Sequence, residues 1–408
     1  MKMQFRSTAS VRELTRRNLL RATSAFAALE ALHAAVKPVR ITDVDVFPIN
    51  IPTPPAESAA GVQHRYLVAK VVTDAGVSGY SFAGPEPNAV AEVKRALVGK
   101  DLFNIESQLH DGLYRWGGVE HAVWDAIGRI ANQPVYKLLG GPKDRVRAYL
   151  TCVWPGHADQ SQVAYRDQVA MALKIKQAGF HGMKIRVWRP NPLDDAEVCA
   201  QIKEATGKDF HLMFDRTAHA PVEVGQRVWD FETGLRVARA LQKAGAYWLE
   251  EPFARDDYDT PAKLAAMVDI LITGGEGYGS IDPFRECLLH RTYDILQPDG
   301  RNAGGIFLCR KVGILAGSFH VPTILHGTMG LMLAGWLQAS LAIGAPWQEL
   351  ALITPPLLPD EQWAPGLKVL RSKHVFAFEN GELLAPPYPG IGLDVDEEAL
   401  ERYRVKGA

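Results

Sequence analysis

From Val146 onward one pattern repeats: a short apolar segment of strand character, then a stretch with helical spacing. The strand segments fall at 146–152, 182–187, 210–214, 247–249, 270–273, 295–297 and 323–325. Helical spacing lies between them, as at 162–177, 233–243 and 306–316. Seven or eight such βα units, at roughly 25 to 35 residues each, predict a closed parallel barrel and not an open sheet. No G-x-G-x-x-G follows any of the strands, which argues against a dinucleotide-binding fold.

Barrels of this kind place their chemistry at the C-terminal ends of the strands. Every strand after the first delivers an ionisable group there. GMKIRVW brings Lys184 and Arg186, LMFDRT ends on Asp215, and WLEEPF ends on Glu250 and Glu251. ITGGEGYGS ends on Glu276, ILQPDGR on Asp299, and PTILHG on His326. Asp215, Glu250 and Glu276 come from three consecutive strands and offer only hard oxygens, a donor set that suits Mg2+ better than zinc. Asp299 and His326 follow on the next two strands. A carboxylate beside a histidine fixes its tautomer and raises its basicity, which makes His326 the candidate general base.

The remaining sequence divides by texture. Residues 1–37 carry Arg16 and Arg17 ahead of a weakly apolar, alanine-rich run broken by Arg21 and Glu30. That is a poor membrane span and resembles a twin-arginine export signal, so a periplasmic location is expected, with a cytoplasmic leader as the alternative. Residues 38–140 read as a small α+β domain: two β-rich runs joined by a proline- and alanine-rich loop, then helical patterns at 89–98 and 105–114 and from Val119. A formal net charge of −1 removes any electrostatic case for a nucleic-acid partner. Four scattered cysteines without a CxxC pair argue for buried thiols over a disulfide framework or a zinc site.

Several segments together resemble the enolase superfamily, close to the mandelate racemase and acid-sugar dehydratase branch. They are VEHAVWDAIGRIANQPVYKLLGG, WLEEPF, GGE, QPD followed by GG, and PPYPGIGLDVDEEAL, in that order. The resemblance implies an α+β capping domain (38–140), a modified (β/α)7β barrel (141–355) and a C-terminal segment (356–408) that returns to the cap. It implies Asp215, Glu250 and Glu276 as magnesium ligands, an acidic residue on the last strand that Glu349 matches, and a structural contact for Glu251. It also implies a carboxylate substrate, specificity in the cap loops 53–65 and 82–88, a mature protein without membrane attachment, and a homo-oligomer.

The sequence departs from the racemase pattern at the second barrel strand. There a Lys-x-Lys motif supplies a second base, and here it reads Lys184-Ile185-Arg186. Arginine does not deprotonate at physiological pH, so Arg186 is expected to stabilise an enediolate oxygen, together with Lys184, and not to exchange a proton. With His326 as the main base, the expected reaction is dehydration of a sugar acid to a 2-keto-3-deoxy acid. A racemase or epimerase using Lys184 as second base is the alternative, and a non-catalytic exported binding protein is a third reading. After Asp215, Arg216 and Thr217 replace the family's usual small residue and asparagine; His219 and His157 are further candidates for an auxiliary acid.

Overall fold

The computed structural model describes residues 37–59, 62–154, 162–216, 228–372 and 376–407. The export signal therefore lies outside the described residues, as do His157, Thr217 and His219. From Arg40 onward the chain forms one compact unit, and two sheets organise it.

The first sheet is antiparallel, in the order β1 (Ile41–Ile51), β2 (His64–Thr73), β3 (Ser78–Ser81). The stretch between β1 and β2, expected to be loop, contains a short helix at Pro55–Ala59. Helices α1 (Val90–Leu97), α2 (Ile105–His110) and α3 (Gly117–Ala131) follow. The apolar spacing read from Val119 becomes a helix buried on nearly every face, because α3 lies between this sheet and the barrel loops. Its approach to the sheet is set by glycine. A Cβ on Gly79 would stand 2.1 Å from the Ala122 carbonyl oxygen, and one on Gly118 only 1.7 Å from that of Ala83.

The second sheet is the barrel. Strands β4 (Arg145–Cys152), β5 (Gly182–Arg186), β6 (His211–Asp215), β7 (Trp248–Glu250), β8 (Leu271–Gly274) and β9 (Ile295–Leu296) pair in parallel, in sequence order. The segment at 323–325, expected as a strand, contributes only isolated parallel bridges, Leu296 with Thr323 and Asp299 with His326. Strand β10 (Trp347–Ile353) then pairs with β4 and closes the ring. The intervening helices are α4 (Tyr165–Gln177), α5 (Asp194–Thr206), α6 (Phe231–Ala244), α7 (Asp259–Ala265), α8 (Ile281–His290), α9 (Ile306–Ser318) and α10 (Leu333–Ile343). This is the expected (β/α)7β barrel.

The C-terminal segment makes two attachments. Strands β11 (Phe378–Glu379) and β12 (Glu382–Leu384) form a hairpin whose second strand runs antiparallel to β4. Helix α11 (Glu397–Tyr403) then reaches the first sheet: Lys70 Nζ donates to Glu397 at 2.8 Å, and Val405 N donates to the Pro48 carbonyl at 3.0 Å. The four cysteines are buried and unbridged, and among the described residues no helix is long and apolar enough to cross a membrane.

Candidate active site

Side chains two apart on a strand share a face, and this builds the barrel interior in layers. Tyr149, Met213, Trp248, Ile295, Ile324 and Trp347 form one buried cluster. Two residues further along each chain stand Thr151, Asp215, Glu250, Gln297, His326 and Glu349. Apolar packing thus forms a floor, and the polar groups rest on it at the strands' C-terminal ends.

The pairing register brings these groups together. Arg186 pairs with Asp215 across β5 and β6, and Asp215 with Glu250 across β6 and β7. Lys184 is fully buried among three carboxylates, with Nζ 2.9 Å from Glu250, 2.8 Å from Glu349 and 3.3 Å from Asp215. Burial alone would lower its pKa, but Glu250 and then Glu349 hold it well above the usual lysine value. The second-base role weighed for Lys184 therefore meets a buried ammonium that these carboxylates hold charged and that does not line the cavity. Arg186 does line it and bonds Asp215. Burial, followed by the Asp215, Lys184 and Glu349 charges in that order, leaves the Glu250 carboxyl pushed up to about 8. Burial also opposes ionisation of Glu349, yet Lys184 and His326 bring it down to about 2.

His326 donates from Nδ1 to Asp299 Oδ2 at 2.9 Å, and its Nε2 lies 3.0 Å from Glu276. Asp299 is itself clamped by the backbone N–H groups of Arg301 and Asn302. Burial would depress the imidazole, but Glu276 and Asp299 raise it to about 10. Any cation that offsets the Glu276 charge would bring it back toward neutrality. These groups open onto a cavity of about 360 Å³ lined by Arg186, Glu276, Asp299, His326 and Glu349.

Sequence reading missed four contributors. Arg255 grips Glu251 through Nε at 3.0 Å and donates to Glu276 at 2.6 Å. This gives Glu251 its structural contact, at a backbone φ of +43°. Gln297 donates to Glu250 at 3.0 Å, while Tyr149 and Thr151 both donate to Glu349. The period-two rule was available for three of them, since Gln297 precedes Asp299 by two and Tyr149 precedes Thr151 by two. Nothing local marks Arg255.

The sequence matches the family model for the mandelate racemase / muconate lactonizing enzyme N-terminal domain over residues 41–140, and that for the enolase C-terminal domain-like family over residues 165–399. The chain belongs to the enolase superfamily. An arabinonate dehydratase of Saccharolobus solfataricus is 31% identical over 290 residues, covering 71% of this chain and 72% of that protein. A D-galactonate dehydratase of Ralstonia nicotianae is 29% identical, over 83% of this chain and 91% of its own length. The crystal structure of D-glucarate dehydratase from Agrobacterium tumefaciens complexed with magnesium superposes with a TM-score of 0.76 at 27% identity, covering 90% of this chain and 99% of that one.

Within this superfamily member the donor chemistry fits a divalent cation. Three carboxylates stand on adjacent strand ends, and the buried Glu250 carboxyl is raised partly by its acidic neighbours, the mark of surplus negative charge. Their side chains point to cations of the protein: Asp215 to Arg186, Glu250 to Lys184, and Glu276 to Arg255 and His326. Among the described residues no three His, Cys, Asp or Glu side chains already form a metal cluster.

Proposed function

We propose that this protein is a magnesium-dependent dehydratase of a sugar acid. The observation that carries the reading is the His326–Asp299 pair facing a cavity that Arg186 also lines. Asp215, Glu250 and Glu276 would hold Mg2+, which would supply fixed positive charge against the negative charge that builds on the substrate carboxylate. His326, oriented through Nδ1 by Asp299, takes the α-proton on Nε2. Arg186 stabilises the resulting anion as a charge that never deprotonates. The β-carbon–oxygen bond then breaks, and the proton on His326 passes to the departing hydroxide, which leaves as water. The enol that remains tautomerises to the 2-keto-3-deoxy acid. Lys184 keeps the Asp215, Glu250 and Glu349 carboxylates in place. Inversion at the α-carbon needs a second base on the opposite face, and neither Lys184 nor Arg186 is placed to lose a proton.

Incubation with a panel of sugar acids in heavy water tests this. Keto acid should form in wild type, and His326→Asn should lower kcat by about 10²- to 10⁴-fold. Accumulation of the inverted, deuterated α-epimer without keto acid would overturn the reading in favour of a racemase. The leader carries a separate proposal, export through the twin-arginine route. Replacing Arg16 and Arg17 by Lys should hold the protein in the cytoplasm, and unchanged fractionation would remove it.

A further inference from the structure

A second cavity, of about 500 Å³, adjoins the first, and Arg301 and Asn302 line both. The two spaces differ in their lining. Three acidic side chains, Glu276, Asp299 and Glu349, share the reaction cavity with Arg186, Arg301 and His326, whereas among the described residues the second is lined by Arg115 and Arg301 and by no acidic side chain. Arg115 is engaged, 2.8 Å from Glu92 and stacked on the Trp116 ring. The Arg301 guanidinium and the Asn302 amide make no side-chain hydrogen bond or ion pair among the described residues.

Their backbone, by contrast, is tightly held. The N–H groups of Arg301 and Asn302 donate to Asp299 Oδ1 at 2.8 and 2.7 Å. From the cap side, Gly117 approaches so closely that a Cβ there would lie 2.4 Å from the Arg301 carbonyl. The two uncommitted side chains therefore extend from a backbone tied to the residue that orients His326. A planar guanidinium beside an amide is suited to a carboxylate, which it grips through two parallel N–H donors.

We propose that Arg301 and Asn302 form a subsite for a second, distal carboxylate, so that the sugar acid this enzyme dehydrates is a diacid. The inference rests on the dehydratase reading for the reacting end of the molecule and adds the recognition of the other end. One carboxylate enters the reaction cavity that Arg186 lines, and the chain carries the other past the His326–Asp299 pair to Arg301.

Aldaric and aldonic acids of matched length and configuration, assayed for keto-acid formation, test it. Wild type should favour the aldarate at least tenfold in kcat/KM. Arg301→Gln should lower the aldarate-to-aldonate ratio at least tenfold, through KM more than kcat. Arg301→Lys, which keeps the charge without the fork, should fall between. Keto acid formed with preference for aldonates, or a ratio unmoved by Arg301→Gln, would overturn the diacid proposal and leave the dehydratase reading standing. Absence of keto acid from every substrate would overturn the dehydratase reading instead. Calorimetric titration with glutarate and with butyrate then reads the subsite without turnover. A glutarate affinity at least tenfold weaker in Arg301→Gln supports it, and equal affinity in the two proteins removes it.

Discussion

At the scale of single residues, Lys184 is the site's internal counter-charge. It is fully buried and within 3.3 Å of three carboxylates. Removing one partner from a buried ionic cluster leaves the others uncompensated, at a cost of about 3–5 kcal/mol. Lys184→Met should therefore lose about that much unfolding free energy in urea, and added Mg2+ should recover part of the loss by taking up the freed charge. A loss under about 1 kcal/mol would mean that the carboxylates are not held as ions. The motif K-I-R was visible in the chain, and so was the arginine's inability to act as a base. That the lysine lies under the cavity and not on its wall was not visible, because strand alternation places both residues on one face and says nothing of depth.

At the scale of elements, α3 ties the cap sheet to the loop that carries Asp299. Glu120 accepts from the Ile306 and Phe307 N–H groups at the start of α9, and His121 Nε2 meets the Gly300 carbonyl at 2.9 Å. Burial pushes the Glu120 carboxyl up to about 8 against the pull of those N–H donors, while it drives His121 down to about 4. A raised carboxyl pKa means the folded state holds the proton more tightly than the unfolded chain. Its contribution is thus complete below about 4.5 and is lost as pH rises through about 8. The melting temperature should accordingly fall between pH 5 and pH 9, and Glu120→Gln, which cannot titrate, should flatten that slope. Parallel slopes in the two proteins would assign the fall to other groups. The same helix explains why its glycines matter. Gly118→Ala drives a methyl to within 1.7 Å of the Ala83 carbonyl oxygen, against the backbone of Ala83 and Gly84. Overpacking of that kind costs about 1–3 kcal/mol or more, so a clear drop in melting temperature is expected. An unshifted value would show that α3 can move off the sheet freely.

For the whole molecule, the closed ring of β4 to β10 brings Asp215, Glu250 and Glu276 to the ends of three adjacent strands, and a bound cation would link those strands at once. Ligand that binds only the folded state stabilises it by about 2.7 kcal/mol at a hundredfold excess over Kd. Mg2+ should therefore raise the melting temperature, and chelator should reverse it. Glu250→Gln combined with Asp215→Asn should abolish the shift, a readout independent of turnover. Equal melting temperatures with and without Mg2+ in wild type would remove these residues as its ligands.

The barrel and the ionisable group at each strand end were legible in the sequence, because both rest on local rules. Apolar runs recur at the spacing of βα units, and polar residues close each run. Asp299 and His326 could be paired on paper because consecutive parallel strands are neighbours. What lay beyond such rules required the folded chain. Arg255 reaches Glu251 four residues back in the sequence and Glu276 just past the end of the next strand, at a distance that only the path of the β7–α7 loop fixes. The 323–325 segment forms no regular ladder and is tied to its neighbour by single bridges. Arg301 was only the last letter of ILQPDGR until the barrel loop set it, still exposed, in the lining that two cavities share. Sequence sets which residues sit at which strand end, since periodicity is a property of neighbours along the chain. Depth, pairing and the charge of a cavity are sums over residues far apart in sequence, and only tertiary packing decides them.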